Sequence, residues 1–218
     1  MKVVAVVPMK LNNQRLANKN IKEFSNGKVL CQYILETLLK VKKIDEIYVY
    51  CSNKKIKQYL PNNIKYLKRS ELLDQDTTKM NEVLKEFSKE IDADIYVMTH
   101  ATSPFVSYES IDDALEYVIN EKNDSALAVK KVQDFLWLDN KPFNYELENI
   151  PRTQDLKPLY METSGFYIYR KNIIEEHGRR VGFNPYLKEV NEIEAIDIDE
   201  LGDFQIADAI ISSGILER

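Results

Sequence analysis

Two aspartates near the carboxyl end of the chain have the spacing of a cation site. They lie in the segment IDIDELGD at 196–203, where Asp197 and Asp199 are two residues apart and alternate with isoleucines. On a strand, both carboxylates leave one face while Ile196 and Ile198 enter the core. Two carboxylates held that close repel each other unless a cation or protons lie between them. Because Mg²⁺ takes such a pair together with phosphate oxygens, the pattern favours a magnesium site at Asp197 and Asp199.

A simpler interpretation uses only one of these aspartates. The periodicity predicts a helix from about 200 to 213 that ends at Gly214. Asp199 is then its N-cap, and Asp203 lies favourably near the positive end of the helix dipole. This alternative explains Asp199 but leaves Asp197 without a reason.

The opening stretch VVAVVPMKLNNQRLANKNIKEF at 3–24 suggests the anion that such a cation would accompany. A buried strand ends near Pro8, and the loop that follows carries Lys10, Arg15 and Lys19 with no glycine before Gly27. Cations and backbone N–H groups that converge at a strand end suit a polyphosphate. The alternative is a solvated loop with incidental charges, since the glycine signature of the commonest phosphate loops is missing.

Two further strand ends carry polar side chains. Arg69 follows one predicted strand, and His100 and Thr102 follow another in MTHATSPF at 98–105. In RSELLDQDTTKMNEVL at 69–84, Asp76 or Thr77 is expected to start the next helix. His100 is either structural, a substrate contact or a general base. With two histidines in the chain and no suitable Ser or Cys partner, a hydrolytic triad is not indicated.

The elements that must position these residues follow an alternating pattern over the first 130 residues. Helical faces separate the apolar runs, one of them formed by Met80, Val83, Leu84 and Phe87. Such alternation indicates βαβ units in a mostly parallel sheet, whose ligands bind beyond the carboxyl ends of the strands. The strand-like runs are at 3–7, 46–50, 64–67, 94–98 and 125–129.

The middle of the chain departs from this pattern. FLWLDNKPFNY at 135–145 predicts two short strands around an Asp-Asn turn, and 149–161 has two prolines and little periodicity. Strands are predicted again at 164–170 and at 194–199. The irregular region, about 133–165, is interpreted as a projecting flap or oligomerisation arm within a single domain spanning residues 1–218.

Composition excludes several classes of protein. The 218 residues carry a formal charge of −5, which argues against a nucleic-acid binder that relies on a basic surface. No apolar run reaches the roughly 18 residues that a membrane helix needs. The start of the chain lacks a signal-peptide pattern. Cys31 and Cys51 are isolated, so we expect buried thiols in a reduced, cytoplasmic protein.

Five segments, taken in order, resemble the cytidylyltransferases that make CMP-activated sugar acids, among them the enzymes for sialic, legionaminic and pseudaminic acids and for Kdo. The first loop of that family, P-A-R-x-x-S-K-G-L-P-G-K-N, is similar to PMKLNNQRLANKN, and R-P-x-x-L-A-x-D is similar to RSELLDQD. Q-P-T-S-P is similar to HATSP, and R-R-Q-D-L-P…N-G to PRTQDLKPLYMETSG. The closing I-D-I-D-x-x-x-D is unchanged. The resemblance runs from Pro8 to about Asp208.

This resemblance implies an α/β fold of the Rossmann-like, GT-A-like nucleotidyltransferase type with a small projecting dimerisation segment. It implies that a sugar hydroxyl attacks the α-phosphate of CTP and that pyrophosphate leaves, with Mg²⁺ as cofactor. Alignment and charge neutralisation are the main catalytic means for such a transfer. Implied partners are CTP, an acidic sugar and a second copy of the chain, with neither nucleic acid nor membrane.

Roles follow from the resemblance by position. Lys10, Arg15 and Lys19 are the catalytic cations around the triphosphate, and Asp197 and Asp199 hold the metal. Nucleotide contacts are assigned to Met9, Asn12, Asn13, Asn20, Arg69 and Thr78. Acceptor contacts are assigned to His100, Thr102, Arg152 and Gln154, the last two on the dimerisation segment. The general base stays open between His100, an aspartate and a metal-bound hydroxide.

Some positions depart from the family pattern. Gln14 stands where the sialic-acid type has a loop lysine, and Arg15 matches an arginine of the Kdo type. His100 replaces the glutamine that faces the sugar acid, and Phe105-Val106 replaces Leu-Arg. The alternatives are a nucleotidyl- or glycosyl-transferring enzyme with another acceptor on the same scaffold, and a non-catalytic nucleotide-binding protein.

Overall fold

A seven-stranded sheet forms the centre of the molecule. The computed structural model describes residues 1–217, apart from the side chain of residue 217. The strands are β1 (Val3–Met9), β2 (Glu46–Cys51), β3 (Ile64–Lys68), β4 (Ile95–Thr99), β5 (Ser125–Val132), β6 (Trp137–Leu138), β7 (Lys141–Pro142), β8 (Leu159–Arg170) and β9 (Pro185–Glu189). The helices are α1 (Leu30–Lys40), α2 (Met80–Glu90), α3 (Tyr108–Ile119), α4 (Lys171–His177) and α5 (Leu201–Ser212).

The sheet has the order β3-β2-β1-β4-β8-β5-β9, and β6 and β7 form a separate two-stranded sheet. β1 pairs in parallel with β2 and β4, β2 with β3, and β5 with β9. Only β8 runs antiparallel to its neighbours in the described sheet, between β4 and β5. The predicted mostly parallel α/β sheet flanked by helices is thus confirmed, with one long antiparallel strand inside it.

Both faces of the sheet are covered, which is why β1 is buried at every residue. Alternate residues of β1 face opposite layers. Val3, Ala5 and Val7 pack on the side of α1 and α3, whereas Val4 and Val6 pack on the side of α2 and α4. The sheet therefore serves as a rigid platform, and its carboxyl edge is left for the loops.

Three element predictions need correction. Residues 194–199 form no strand, although Asp197 and Asp199 were placed on one. The edge of the sheet next to β5 is instead taken by β9, which was not predicted. β8 begins at Leu159 rather than at residue 164, because its first half pairs with the distal half of β5. The predicted helix over about 200–213 is confirmed as α5.

The segment 133–158 lies outside the seven-stranded sheet; we call it the arm. It contains the predicted β6–β7 hairpin, whose turn residues Asp139 and Asn140 have φ of 51° and 61°, as a type I′ turn requires. Many of its apolar side chains face solvent. The exposed ones are Phe135, Trp137, Leu138, Phe143, Leu147 and Ile150.

Two sequence expectations concern membranes and thiols. In residues 1–217 no helix has both the length and the apolar character needed to cross a bilayer. Cys31 and Cys51 are free and buried, as predicted. Burial raises the pKa of the Cys31 thiol to about 12, so this sulfur stays protonated and inert.

Candidate active site

A cavity of about 420 Å³ opens at the carboxyl ends of β1, β3 and β4. It gathers side chains from five separate stretches of sequence, including the segment before α5. The predicted site residues on its wall are Met9, Lys10, Asn13, Arg15, Lys19, Asn20, Arg69, Thr78, His100, Thr102, Asp197 and Asp199. The sheet topology explains this convergence, because parallel neighbours end at the same edge.

Three predicted site residues lie elsewhere in the protomer. Asn12 is exposed and faces an adjoining cleft. Arg152 and Gln154 are exposed on the arm, where the Arg152 Nε lies 2.7 Å from the Asp155 carboxylate. The backbone oxygen of Gln154 accepts a hydrogen bond from Gln133.

The loop after β1 is folded back against the core, so it is not simply a solvated loop. Lys19 and Asn20 are 7% and 5% exposed. The Asn20 amide donates to the Lys10 carbonyl at 2.9 Å and closes the loop. A lysine buried to this degree needs partners for its charge, and Lys19 has two on the segment before α5.

The carboxylate of Asp199 lies between two cations of the opening loop. Lys19 Nζ is 3.0 Å and Arg15 Nη2 is 2.9 Å from its Oδ1. Lys19 also donates to the Ile198 carbonyl at 2.7 Å. Partial burial acts to raise the pKa of Asp199, but the hydrogen bonds and charges of Lys19 and Arg15 outweigh it and lower the pKa. Asp199 is therefore a fixed anion that already attracts the loop.

Asp197 has the opposite environment. Burial is the main cause that raises its pKa, and the charge of Asp199 adds to the effect, while a hydrogen bond from Thr102 opposes it. Its Oδ1 is buried and has no hydrogen-bond partner in the described residues. An orphaned carboxylate oxygen of this kind lacks a cation or a donor.

The pair therefore fits a hard divalent cation. Both carboxylates line the same cavity, one of them with a free buried oxygen, and oxygen ligands of this type suit Mg²⁺ when substrate phosphates complete the shell. Two protein ligands with room for a substrate match the way Mg²⁺ is usually held beside phosphates.

Within the segment 194–199, residues 194 and 195 end a turn, and 196–199 have no regular secondary structure. Ile198 donates its N–H to the Thr102 carbonyl at 2.8 Å and buries its side chain completely. Asp203 accepts the backbone N–H groups of Asp199 and Glu200 at 2.9 and 2.8 Å. The N-cap of α5 is Glu200, so the alternative interpretation of Asp199 as the cap is wrong.

Arg69 is held rigidly at the cavity wall. It is 3% exposed, and its guanidinium pairs with the Asp74 carboxylate, with Nε at 3.1 Å from Oδ1. Ser52 also donates to Asp74, at 2.5 Å. Because Asp74 neutralises its charge, Arg69 offers a ligand a rigid side chain in the cavity wall and not an unpaired positive charge.

Asp76 has a different place from the one expected. The helix α2 begins at Met80 with Lys79 as its N-cap, so neither Asp76 nor Thr77 caps it. Asp76 instead accepts Lys10 Nζ at 3.1 Å and the Gln14 amide at 2.5 Å. Gln14 is thereby directed to Asp76, and Arg15 is the residue of this pair that lines the cavity.

His100 faces the cavity from the end of β4. Removal from water and the nearby charges of Arg180 and Lys19 lower its pKa to about 4, against a small opposing effect of Asp199. The imidazole is therefore neutral near pH 7. It offers the site one hydrogen-bond acceptor and one donor.

Several wall residues were not found in the sequence. Gln75, Met80 and Ser164 line the cavity, and Ser164 has a φ of 61° just before Gly165. A Cβ on Gly165 would lie 2.9 Å from a methyl of Val106, so only glycine fits there. Val106 itself is 2% exposed, and the position where the family carries an arginine points into the core.

A larger cleft of about 800 Å³ adjoins this cavity near the ends of β2 and β3. Lys54, Lys57 and Lys68 line it, together with Asn12 and Tyr66. The carboxylate pair and the loop cations Arg15 and Lys19 all lie in the smaller cavity, so we take that one as the candidate active site.

A mostly parallel α/β sheet with cations and a carboxylate pair at its carboxyl edge is typical of nucleotide-handling enzymes. Comparison with known proteins gives the family. The family model described as Cytidylyltransferase matches residues 4–209, and the chain belongs to this family.

Individual similarities agree with that assignment. The N-acylneuraminate cytidylyltransferase A of Danio rerio is 26% identical over 87% of this chain and 46% of its own length. The pseudaminic acid cytidylyltransferase and hydrolase of Helicobacter pylori is 23% identical over 97% of this chain and 43% of its own length. The chain thus spans about half the length of these curated relatives.

A solved structure extends the similarity to the fold. The CMP:2-keto-3-deoxy-manno-octonic acid synthetase complexed with CTP superposes with a TM-score of 0.74 at 16% identity, covering 99% of this chain and all of that one. At this identity the likeness concerns the fold, which is the α/β nucleotidyltransferase fold.

Proposed function

We propose that the chain transfers CMP from CTP to the anomeric hydroxyl of an acidic sugar and releases pyrophosphate, with Mg²⁺ as cofactor. The observation that carries this proposal is the ion cluster in which Arg15 and Lys19 enclose Asp199 while Asp197 keeps a free buried oxygen. Cations for a triphosphate and carboxylates for its metal lie within one cavity. Membership of the cytidylyltransferase family supports the choice of nucleotide.

The loop cations bind the triphosphate in this proposal. Arg15 is 63% exposed at its side chain, and Asp199 is its only ion-pair partner among the described residues, so it can turn towards a bound phosphate. Lys19 is anchored by the Ile198 carbonyl and adds a fixed positive charge. Such preorganised charges stabilise the negative charge that develops on the leaving pyrophosphate.

Asp197 and Asp199 hold the metal. When bound, Mg²⁺ supplies neutralisation of the phosphate charge and a template that orients the α-phosphate. The two aspartates keep their positions through Ile198, which anchors the segment to Thr102, and through Asp203.

The remaining wall orients the two substrates. Arg69, fixed by Asp74, and Thr78 form the nucleotide side of the cavity. His100 and Thr102 lie on the acceptor side, where the neutral imidazole accepts a hydrogen bond from the attacking hydroxyl. Alignment of the hydroxyl with the α-phosphate is the larger part of catalysis in such a transfer.

The test is direct identification of the product. The chain is incubated with CTP, Mg²⁺ and a mixture of N-acetylneuraminic acid, pseudaminic acid and 3-deoxy-manno-octulosonate, and the CMP conjugate is identified by mass spectrometry. A thermal-shift screen of CTP, UTP, GTP and ATP separates this proposal from another nucleotidyl- or glycosyl-transferring enzyme. A preference for UTP, GTP or ATP would favour the latter, and nucleotide binding without any conjugate would favour a non-catalytic binding protein.

We further propose that two copies of the chain associate through the arm. Its exposed apolar side chains include Trp137, Leu138 and Phe143, which are 57%, 58% and 55% exposed. Apolar surface that extends from a well-packed domain usually marks an interface. In a dimer, Arg152 and Gln154 of one copy would approach the acceptor side of the other.

The compartment follows from the thiols. Free cysteines that stay buried without pairing suit a reducing environment. The enzyme also has to be located where CTP is available. We therefore propose that the protein is cytoplasmic.

A further inference from the structure

A second, smaller cavity of about 360 Å³ adjoins the candidate active site; we call it the arginine pocket. It lies between the first turn of α2 and the connection from α4 to β9. Arg179, Arg180 and Lys79 contribute three positive charges, against one carboxylate from Glu162. None of these residues was singled out in the sequence, and none has a part in the nucleotide site described above.

Among the described residues, none of the three cations of this pocket forms a salt bridge, although Glu162 lies on the same wall. Nε and Nη2 of Arg179 are buried and make no hydrogen bond in the described part of the chain. The Asn81 Oδ1 on the same wall is also buried without a partner. Leaving a buried charged donor unsatisfied is unfavourable, so native proteins usually supply a partner.

Aromatic rings hold both arginines in place. The Arg179 guanidinium carbon is 4.0 Å from the centroid of the Phe183 ring, and that of Arg180 is 4.0 Å from the centroid of Tyr167. The Tyr167 hydroxyl donates to Glu162 at 2.6 Å, which fixes the ring under Arg180. A guanidinium stacked on a ring keeps its N–H edge free for a planar anion.

The arginine pocket also borders the reaction centre. Met80 lines both cavities, so the two share a wall. The charge of Arg180 contributes to the lowered pKa of His100, which places the guanidinium within electrostatic reach of the acceptor side. Because Met80 separates the two cavities, an anion held by Arg180 would lie next to the candidate active site.

We propose that the arginine pocket binds the carboxylate of the acidic sugar, with Arg180 and Arg179 of the same subunit as its specificity-determining residues. This inference rests on the proposed function. In a 2-keto sugar acid the carboxylate is bonded to the carbon that bears the attacking hydroxyl. The guanidinium groups of two arginines make bidentate, charge-assisted hydrogen bonds to a planar carboxylate. The position of the carboxylate then fixes the position of the hydroxyl.

This assignment differs from the role implied for Arg152. That residue lies on the arm and is paired with its own Asp155 through two contacts of 2.7 and 3.0 Å. The arginine pocket needs no residue from a second copy to neutralise the carboxylate.

The experiment compares Arg180→Gln, Arg179→Gln and Arg180→Lys with wild type in the full chain. The acceptor is whichever of N-acetylneuraminic acid, pseudaminic acid and 3-deoxy-manno-octulosonate the wild type converts fastest. Lys42→Gln is the matched control, because it also removes one positive charge but from an exposed side chain that lies before β2, at the opposite end of the sheet. KM for the acid, kcat and the thermal shift given by CTP are measured for each protein.

Arg180→Gln is expected to raise the KM for the acid at least ~10-fold, the loss of one charge-assisted hydrogen bond. The CTP thermal shift should stay at the wild-type value, which also shows that the variant is folded. Arg180→Lys should recover part of the loss, because it keeps the charge without the fork. Wild type should further reject the C1 carboxamide of the same acid, and Arg180→Gln should discriminate less.

Different failures have different meanings. Turnover by wild type with an unchanged KM in both Arg180→Gln and Arg179→Gln overturns the carboxylate assignment alone. An absence of CMP conjugate with all three acids overturns the proposed function and this assignment together.

Discussion

Asp197 and Asp199 show at the residue scale how one short segment holds two carboxylates in different states. Asp199 is compensated by Arg15 and Lys19, whereas Asp197 has a raised pKa and a buried oxygen that finds no hydrogen-bond partner in residues 1–217. A buried carboxylate oxygen without a partner destabilises a fold, so a role in binding a cation best explains Asp197.

The first prediction is that Asp197→Asn separates stability from activity. Formation of the CMP conjugate should fall at least ~10²-fold, as is typical when a group that stabilises transition-state charge is removed. The melting temperature should not fall, because the substitution removes a charge whose burial is unfavourable. Differential scanning fluorimetry and conjugate formation are measured on the same preparation.

Asp112→Asn serves as the control for this comparison, since Asp112 pairs with Lys43 away from the cavity. Wild-type turnover by Asp197→Asn would show that the aspartate has no part in the reaction. A second readout is the additional thermal shift that Mg²⁺ gives in the presence of CTP, which the variant should lose.

The second prediction concerns the ionisation of His100. Its pKa of about 4 in the folded protein lies below the ordinary value of 6.5. As the pH falls from about 6.5 towards 4, the unfolded chain takes up this proton first, so the folded state loses stability in that window. The free energy of unfolding should therefore fall more steeply in wild type than in His100→Gln.

Urea denaturation at several pH values measures this difference. Proton NMR of the two imidazoles gives an independent check, with His177→Gln used to assign the signals. A midpoint near 6.5 for His100 would contradict a desolvated imidazole whose pKa is lowered further by the charges of Arg180 and Lys19.

At the scale of elements, the segment before α5 depends on a few backbone contacts instead of a sheet. Asp203 holds the N–H groups of Asp199 and Glu200, and Thr102 holds that of Ile198. The geometry of the carboxylate pair is therefore set by the start of a helix and by the loop after β4.

The third prediction is that Asp203→Ala impairs both stability and turnover. Loss of the two hydrogen bonds should lower the free energy of unfolding by about 1 kcal/mol, as for other N-terminal caps. Turnover should fall as well, because Asp199 is displaced from Arg15 and Lys19. Chemical denaturation and kcat measure the two effects.

Asp208→Ala is the matched control on the same helix. Asp208 accepts two hydrogen bonds from Ser25, at 2.9 and 2.7 Å, and lies outside the cavity wall. The two variants should lose similar stability, but only Asp203→Ala should lose turnover. If Asp203→Ala and Asp208→Ala had equal effects on turnover, Asp203 would stabilise the fold without positioning Asp199.

The central strands could be predicted from the sequence because buried strands appear as runs of apolar residues. β1, β2 and β4 pack helices on both faces, so nearly every residue is hydrophobic, and β5 is hydrophobic over 126–129. β9, with the sequence PYLKE, is half-exposed at the sheet edge and gives no such signal. Residues 194–199 alternate like a strand, but β9 already occupies the edge beside β5.

The site was predictable where charged residues follow strands, as for Lys19 and Arg69. Asp199 was predicted from its spacing to Asp197, although the strand expected there does not form. Its remaining wall depends on the register of β8 and on backbone geometry at Ser164, which no local pattern specifies. Arg180 follows a helix in a loop rich in charge, so its stacking on Tyr167 is visible only in the folded chain.

At the scale of the whole molecule, the arm is the part that the central sheet does not explain. It buries Leu156 but leaves Trp137 and Leu138 in solvent. Exposed apolar surface is unfavourable in a single chain in water. Two copies of the chain can bury it between them.

The fourth prediction is that the chain is a dimer whose contact is lost in Trp137→Glu combined with Leu138→Glu. Light scattering after size exclusion at micromolar concentration should give twice the chain mass of 25.5 kDa for wild type and one mass for the double variant. Ile206→Glu, which changes an isoleucine 59% exposed on α5, should remain dimeric. A monomeric wild type would contradict the proposal that two copies associate through the arm.

The fifth prediction concerns the reaction itself, in which cations of the opening loop and the aspartates before α5 act on one triphosphate. The measurement is pyrophosphate released from CTP, followed continuously with Mg²⁺ while each acidic sugar is added in turn. Pyrophosphate is expected to be released only after an acid is added, with one pyrophosphate for each CMP conjugate. Asp197→Asn is expected to release none. Pyrophosphate release by wild type without any acid, or none across the whole panel, would contradict this prediction.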